Sequence, residues 1–420
     1  MFCLMLVSVF ASDVLSQDAT GDPVPTNPTP RWWRGNLHTH SLWSDGDDFP
    51  EMIAEWYRTH HYNFLALTDH NILAQGMKWM KLSAIERRSP GDALATYRQR
   101  FGSGWVETRG GGEALEVRLK PLHEFRHLVE ERGKFILIPA EEISDRAEGK
   151  PVHMNATNVQ EVVRPMGGQT VREAIRNNFR AVEEQSKKLG REILLHLNHP
   201  NFGWAVTAED IALITEERFF EVYNGHPGVR HLGDETRPGV EKMWDIANAI
   251  RLSQLNAAPL LGIATDDSHD YFDTDEMQGS HVGRGWVMVR SSYLTPEHLI
   301  KAMRRGDFYA SSGVELNDLS YDADSRTLRA EVKQPEADES FVWELIGTPI
   351  PVEKDMLPEA EEIGKTIQRI DGGKVFEAQI PANLLYARLV VTSNKSADDP
   401  SFKGQKKQAW TQPVGWKVEE

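Results

Sequence analysis

Asn36-Leu37-His38-Thr39-His40-Ser41-Leu42-Trp43-Ser44-Asp45-Gly46 carries two histidines at i and i+2, followed by an aspartate in a Ser-Asp-Gly turn. In an extended backbone, His38 and His40 point to one face. If that face lines a cavity, the two imidazoles can share a metal ion, and Asp45 can reach the same pocket. The competing reading is a surface or core His-x-His pair with no ligand, so the rest of the chain has to decide.

Short apolar runs at Phe64 to Thr68, Phe135 to Ala140, Ile193 to Leu197, Phe219 to Tyr223, Leu260 to Thr265 and Gly285 to Val289 read as strands. Segments of helical period alternate with them: Pro50 to His60, Pro121 to Arg132, Val171 to Leu189, Thr207 to Glu216, Val240 to Leu255 and Thr295 to Arg305. Thr207 with Asp210 three residues on, and Thr295 before Pro296, are helix-start signals. Strict alternation predicts a parallel sheet, open or closed into a barrel. Residues 74 to 120 interrupt it, as a peripheral helical insertion or a lid over the strand ends. After Gly313, the runs Phe341 to Ile346, Thr366 to Ile370, Val375 to Ile380 and Arg388 to Thr392 predict a small antiparallel sheet module for packing or binding.

Sites in parallel α/β architectures form at strand C-termini. Here those ends carry Asp69-His70, Glu141-Glu142, His153, His196 with His199, Glu221 with Asn224, and Asp266-Asp267-Ser268-His269. Buried together without partners, such groups would be costly. A shared metal site resolves the cost.

Composition narrows the chemistry. A net charge of −16 in 420 residues argues against nucleic-acid backbone binding, which needs clustered Lys and Arg. Met1 to Ala11 has the length of a signal-peptide apolar core and is too short to span a bilayer. It lacks a basic leader, so a short buried helix is the alternative reading. Residues 1–17 are expected to be a signal peptide and the chain secreted or periplasmic, with proline-rich residues 18–30 as a linker. Cys3, the sole cysteine, would leave with the signal. Disulfides and thiolate ligands are thereby excluded, and a metal must use His, Asp and Glu, which suits Zn, Mn or Fe. No later apolar run is long enough for a transmembrane helix.

Taken together, His38-Thr39-His40 with Asp45, Thr68-Asp69-His70, Glu142 followed by His153, and His199-Pro200 with Asp267-Ser268-His269 resemble the four motifs of the PHP (polymerase and histidinol phosphatase) family. The resemblance runs from about residue 34 to 313. Arg305 to Gly313 and Ala409-Trp410-Thr411-Gln412-Pro413 look like the exported branch of that family, which carries a C-terminal β module. It implies a distorted (β/α)7 barrel over residues 31–313, a small all-β module over 314–420, and two or three divalent ions. Carried over, His38, His40, Glu142 and Asp267 hold the first ion. Glu142, His153 and His199 hold the second, while Asp45, His70 and His269 hold a third or complete a two-metal site. Val152 stands where the family has glycine. Glu142 is preferred to Glu141 because it directly precedes Ile143-Ser144.

Ions so held lower the pKa of a bridging water from 15.7 to about 7, which gives hydroxide at neutral pH. His269 or Asp45 would protonate the leaving group if only two ions bind. The expected activity is metal-dependent hydrolysis of a small-molecule phosphoester, with carbamate or carboxyl-ester hydrolysis as the alternative. A non-catalytic metal-binding or surface-binding protein is the reading from another class. Oligomeric state is not legible. Asp69 and Asp266 are expected to orient ligands or cap turns, and His196 to be a core or supporting histidine. Glu221 and Asn224 are expected to meet substrate or to be structural, and His60-His61 to end a helix. Arg284 and His281 either meet an anionic substrate or lie on a solvated loop.

Overall fold

The computed structural model describes residues 28–89, 91–272, 277–333, 336–353 and 355–418. The expected signal peptide and most of the linker lie outside them. Strands β1 (Arg31–Asn36) and β2 (Phe64–Leu67) flank helix α1 (Pro50–Thr59). The segment expected as a helical insertion is instead mixed: β3 (Lys78–Lys81), α2 (Leu82–Arg88), α3 (Ala93–Phe101), β4 (Thr108–Arg109) and β5 (Glu116–Leu119). Its three strands make a separate antiparallel sheet in the order β3-β5-β4. Ile85, Leu94, Tyr97, Val117 and Leu119 bury Leu42, Trp43 and Phe49, so the insertion braces the loop that carries Asp45. Lys78 and Arg88 donate to the carbonyls of Trp43 and Ser44.

Next come α4 (Leu122–Val129), β6 (Ile136–Ala147), β7 (Lys150–Thr157), α5 (Val171–Leu189), β8 (Leu194–Leu197), α6 (Ala208–Ala212), β9 (Phe219–Asn224), α7 (Val240–Ser253) and β10 (Leu261–Thr265). The capping box of Thr207 and Asp210 forms as expected. Helix α6 nevertheless stops at Ala212, short of the expected Glu216, and Arg251 caps the loop that follows by donating to the carbonyls of Ile214, Thr215 and Glu217.

The sheet is not all-parallel, contrary to the strict alternation read from sequence. β6 and β7 form a hairpin whose two loop residues, Glu148 and Gly149, have φ of 52° and 72°. That two-residue turn enforces antiparallel pairing, and β7 is also antiparallel to β8. β1, β2 and β6 run parallel, as do β8, β9 and β10. Beyond their last residues the two ends of this seven-strand array meet. Asp267 N donates to His38 O at 3.0 Å and His40 N to Ser268 O at 2.9 Å, a parallel bridge between the extensions of β10 and β1.

On the other side of β1 the sheet continues through β11 (Trp286–Ser291) and, after α8 (Pro296–Arg304), β12 (Phe308–Ser311). The antiparallel strands expected after Gly313 are present. They are β13 (Leu316–Asp322), β14 (Thr327–Val332), β15 (Phe341–Pro349), β16 (Lys365–Asp371), β17 (Val375–Gln379), β18 (Leu384–Ser396) and β19 (Lys406–Thr411). Only β13, β14 and β17 form a sheet apart; β19, β18, β15 and β16 extend the main sheet from β12 to thirteen strands. Their apolar faces also enter shared cores, with Trp343 and Leu389 in one cluster with Tyr57 and Leu65. Among the described residues no helix is long and apolar enough to cross a membrane.

Candidate metal centre

All nine residues expected to hold metal converge at one end of the seven-strand array. His38 and His40 follow β1, His70 follows β2, His199 follows β8, and Asp267 and His269 follow β10. Glu142 lies within the long β6. His153 lies in the first half of β7, which the antiparallel hairpin returns to this end, opposite Ser144. The i, i+2 rule holds for the first pair. His38 Nε2 and His40 Nε2 lie 3.1 Å apart, whereas Thr39 turns away and donates its N–H to Thr68 Oγ1.

Asp267 Oδ1 lies 3.1 Å from His38 Nε2 and 3.2 Å from His40 Nε2. Glu142 Oε1 is 3.6 Å from the first nitrogen and its Oε2 3.6 Å from the second. Donors at about 2.0–2.1 Å from a tetrahedral ion are separated by about 3.3 Å, which is close to this spacing. The proton inventory agrees. His38 Nδ1 is 2.7 Å from Glu221 Oε1, so in the neutral ring Nε2 is a lone pair. It then faces a second imidazole nitrogen and a carboxylate oxygen, three acceptors with no donor unless a cation or a proton sits among them. Glu142 Oε2 is buried and accepts no well-angled hydrogen bond. The residues present fit a divalent cation.

Further donor sets adjoin this one. His70, Glu142 and His153 form one: Glu142 is 2.6 Å from His70 Nδ1 and 3.0 Å from His153 Nδ1. His38, His199 and Asp267 form another, which puts His199 with Asp267 as much as with the expected His153. His40, Asp45, His70 and His269 form a third at the mouth, where Asp45 is half exposed. Asp45 reaches His70 at 3.3 Å and His269 at 3.6 Å. Gly46 permits the turn that delivers it, since a Cβ there would sit 2.6 Å from the His40 carbonyl oxygen. Asp267 itself holds φ at 52°, the left-handed conformation that aspartate tolerates and that active sites concentrate.

Mutual charge sets the protonation. Burial opposes a charge on His38, but Asp267, Glu221 and Glu142 outweigh it and raise its pKa well above 6.5. Burial and then the neighbouring His269 push His40 down to about 3. His70, despite burial, is raised to about 11 by Glu142 and Asp45. Against burial, Glu142 is lowered well below 4.5 by His153 and His70, and Asp267 well below 3.8 by His38 and His40.

Several supporting roles differ from expectation. Asp69 does not orient an imidazole directly. It accepts from Ser41 N, Ser41 Oγ and Ser44 Oγ, and so pins the turn that carries Asp45. Asp266 anchors its own loop through Tyr57, Gly283 and Gly285. Glu221 is structural: besides His38 it accepts from Thr265 Oγ1, His199 N and Asn224 Nδ2. His196 is buried 3.6 Å from Glu221. Glu141 turns to the opposite face of β6 and accepts from Val163 N. His60 ends its helix as expected, with Nδ1 2.8 Å from Trp56 O. Arg284 is neither solvated nor facing the cluster; it is buried against the carbonyls of Gly225 and Gly279 and against Asp399, which also meets His281.

The sequence reading gave no role to Asn198, whose Nδ2 donates to Glu142 Oε1 at 2.8 Å, nor to Phe202 and His226, which wall the pocket. Asn198 was visible inside His196-Leu197-Asn198-His199, where a buried amide beside a candidate ligand is a signal for orientation. Phe202 opens a single 3-10 turn and His226 lies in a loop, and neither offered one.

No family model and no curated protein matches the chain. Among solved structures, it is similar to a two-domain protein from Bacteroides vulgatus containing a predicted PHP-like metal-dependent phosphoesterase. The identity is 16% over 92% of this chain and 96% of that one, with a TM-score of 0.40. It is also similar to a protein from Bifidobacterium adolescentis named as a candidate metal-dependent phosphoesterase, 14% identical over 58% of this chain and 91% of that one, with a TM-score of 0.28. At these values neither likeness carries an argument, and the cluster stands on its own geometry.

Proposed function

We propose that the chain is a metal-dependent hydrolase of phosphoesters, with a site spread over adjoining donor sets linked through His38, His40, His70, Glu142 and Asp267. The observation that carries it is the convergence of His38 Nε2, His40 Nε2 and Asp267 Oδ1 within 3.2 Å of one another, with both oxygens of Glu142 at 3.6 Å from these nitrogens. His38, His40, Glu142 and Asp267 would hold one divalent ion. His153 and His199 would complete a second with Glu142, and Asp45, His70 and His269 a third. Bound there, such ions supply Lewis acidity and lower the pKa of water from 15.7 to about 7.

The chain's own groups do the rest. Glu221, Asn198 and Asn224 fix the orientation of His38, Glu142 and Asp267. Asp45 and His269 stand at the open mouth, where the leaving oxygen would sit. If two ions bind and these residues hold none, His269 is the one to hold the proton that this oxygen receives. Against burial, the hydrogen bond from His70 and the charges of His40 and His269 keep the Asp45 carboxyl well below the usual carboxylate range. Water oxygen joins phosphorus, the ester P–O bond breaks, and the proton goes to the leaving alkoxide. Glu221 lies beneath the cluster, so the same carboxylate cannot serve that purpose.

Two expectations about the frame belong to the same proposal. The seven strands β1, β2 and β6 to β10 act as a distorted barrel, a reading supported by the bridge between Thr39 and Ser268. The strands after Gly313 act as a packing or binding module, and export rests on the apolar run Met1 to Ala11.

The test is a screen of p-nitrophenyl phosphate and bis-p-nitrophenyl phosphate against aryl acetate and carbamate esters, with Zn, Mn or Fe added. Turnover of a phosphate ester that a chelator abolishes is expected. Turnover of the carbonyl esters alone would overturn the phosphoester reading.

A further inference from the structure

Next to the cluster lies a cavity of about 390 Å³ lined by residues from both halves of the chain, among them Trp204, His226, Arg230, His231 and Phe402. The wall between cavity and cluster is aromatic. The ring of His226 lies 5.8 Å from that of His269 and 6.1 Å from that of Phe202, which is itself 5.1 Å from the ring of His199. A group bonded to an ester held at His199 and His269 would therefore point toward this wall.

Three features suggest that the cavity is built for a ligand. Trp204 and Arg230 both adopt the left-handed region, with φ of 53° and 52°. A bulky side chain rarely accepts that conformation, and functional sites are where it is retained. The strained pair meets: the Arg230 guanidinium lies 4.7 Å from the indole centroid and that of Arg237 lies 5.8 Å from it. Among the described residues no carboxylate lies within ion-pair distance of either arginine, although Asp234 on the same lining acts on Arg230 from further away. Stacking on an indole leaves the in-plane N–H groups of a guanidinium for an anion. Third, His231 is 92% buried between Tyr223 and Phe402, and its Nδ1 has no hydrogen-bond partner. Burial alone lowers its pKa to about 4, so the ring that lines the cavity is neutral.

We infer that this cavity receives the leaving group of the ester, and that the group it takes is a planar aromatic ring bearing a second anionic substituent. The inference rests on the phosphoesterase reading for its orientation. Trp204 and Phe402 supply apolar surface for a ring, and Arg230 supplies the countercharge, with Arg237 behind it against the same indole. A neutral aliphatic alcohol would use neither the indole face nor the guanidiniums stacked on it.

The test has two independent arms. In the first, kcat/KM is compared for phenyl phosphate and 4-carboxyphenyl phosphate. The wild-type protein should prefer the carboxylated ester by tenfold or more, and the ratio should fall to near one in R230Q/R237Q. In the second, 4-hydroxybenzoate and phenol are titrated calorimetrically into the same proteins. The former should bind at least tenfold more tightly, and the double substitution should erase the difference.

Binding that behaves so while no ester is hydrolysed would sink the phosphoesterase reading and leave the subsite standing. Hydrolysis of both esters at equal efficiency, with 4-hydroxybenzoate binding no better than phenol, would overturn the subsite and leave the hydrolase. The wild-type comparison uses no variant, so a misfolded mutant cannot rescue the inference.

Discussion

His38 Nδ1 lies 2.7 Å from Glu221 Oε1, with both side chains fully buried. The contact fixes the tautomer of His38 so that Nε2 faces the cluster, and a carboxylate behind a ligating histidine makes that histidine a better donor. The same carboxylate receives the His199 N–H at 2.7 Å. Glu221→Gln, which preserves shape and removes charge, should weaken zinc binding by about 10–100-fold. Calorimetric titration of the metal-free protein checks it, and unchanged affinity would refute the role.

Asp45 and His269 both reach solvent at the mouth of the site, 3.6 Å apart. If His269 protonates the leaving oxygen, His269→Asn should reduce kcat by about 10²–10⁴ while bound metal stays constant. The loss should shrink for esters of acidic phenols, whose leaving oxygen needs no proton. Metal analysis of the purified variant decides the alternative: loss of one ion per chain would assign His269 to the third donor set.

Metal removal should be visible without any substrate. His70, raised to about 11, and His38, raised well above 6.5, keep protons in the empty cluster. Those protons must leave when an ion binds, because a ligating imidazole is neutral. The metal-free form therefore binds more protons, and affinity should rise with pH. Calorimetry in buffers of different ionisation enthalpy should show net proton release. Saturation at 100 times Kd should add about 2.7 kcal/mol to stability. A pH-independent affinity would contradict this proton inventory.

Away from the site, Glu217 is buried, accepts from Arg218 N and Phe219 N, and leaves Oε2 unpartnered. Burial outweighs these bonds and raises its pKa from 4.5 to about 8. Between those two pH values the unfolded chain has lost the proton while the folded chain keeps it. The stabilising contribution is thus full below about pH 4.5 and is lost as pH rises through about 8. Glu217→Gln has no such proton to lose. Urea melts of the metal-free proteins should show wild type losing stability relative to the variant across that window; parallel profiles would disprove the assignment.

What could be read from sequence follows from how local each signal is. The strands and their terminal histidines and carboxylates were legible, because a strand is a short apolar run and its ligands follow within a few residues. The nine candidate ligands accordingly sit together. The direction of β7 was not legible from alternation, although Glu148-Gly149 held the answer in two residues. The brace formed by residues 74 to 120 was missed because β3, β4 and β5 are at most four residues long, too short to show a period. The burial of Arg284 was hidden too, since its partner Asp399 lies more than a hundred positions away.

Distance in sequence also conceals how the last strands attach, and that can be tested. Arg388 on β18 is fully buried; its Nε and Nη2 reach the two oxygens of Asp245 on α7 at 2.9 and 2.7 Å, and Tyr386 Oη adds a bond of 2.6 Å to the same carboxylate. Removing one charge from such a pair strands the other in a low-dielectric interior, which costs about 3–5 kcal/mol. Glu241, 3.5 Å from Arg388, compensates part of it, so Asp245→Asn should fall near the lower end of that range. If the C-terminal strands were an independent module, the variant would melt in two steps, with the metal-bearing half unchanged. Because β12 pairs with β19 and the apolar cores are shared, a single transition at lower denaturant is expected instead. Adding Arg388→Met to Asp245→Asn should restore much of the loss, since the fully buried guanidinium is then gone and the carboxylate it leaves behind, Glu241, is a third exposed to water. A double variant no more stable than the single one would mean that packing around Asp245, and not its charge, holds the two halves together.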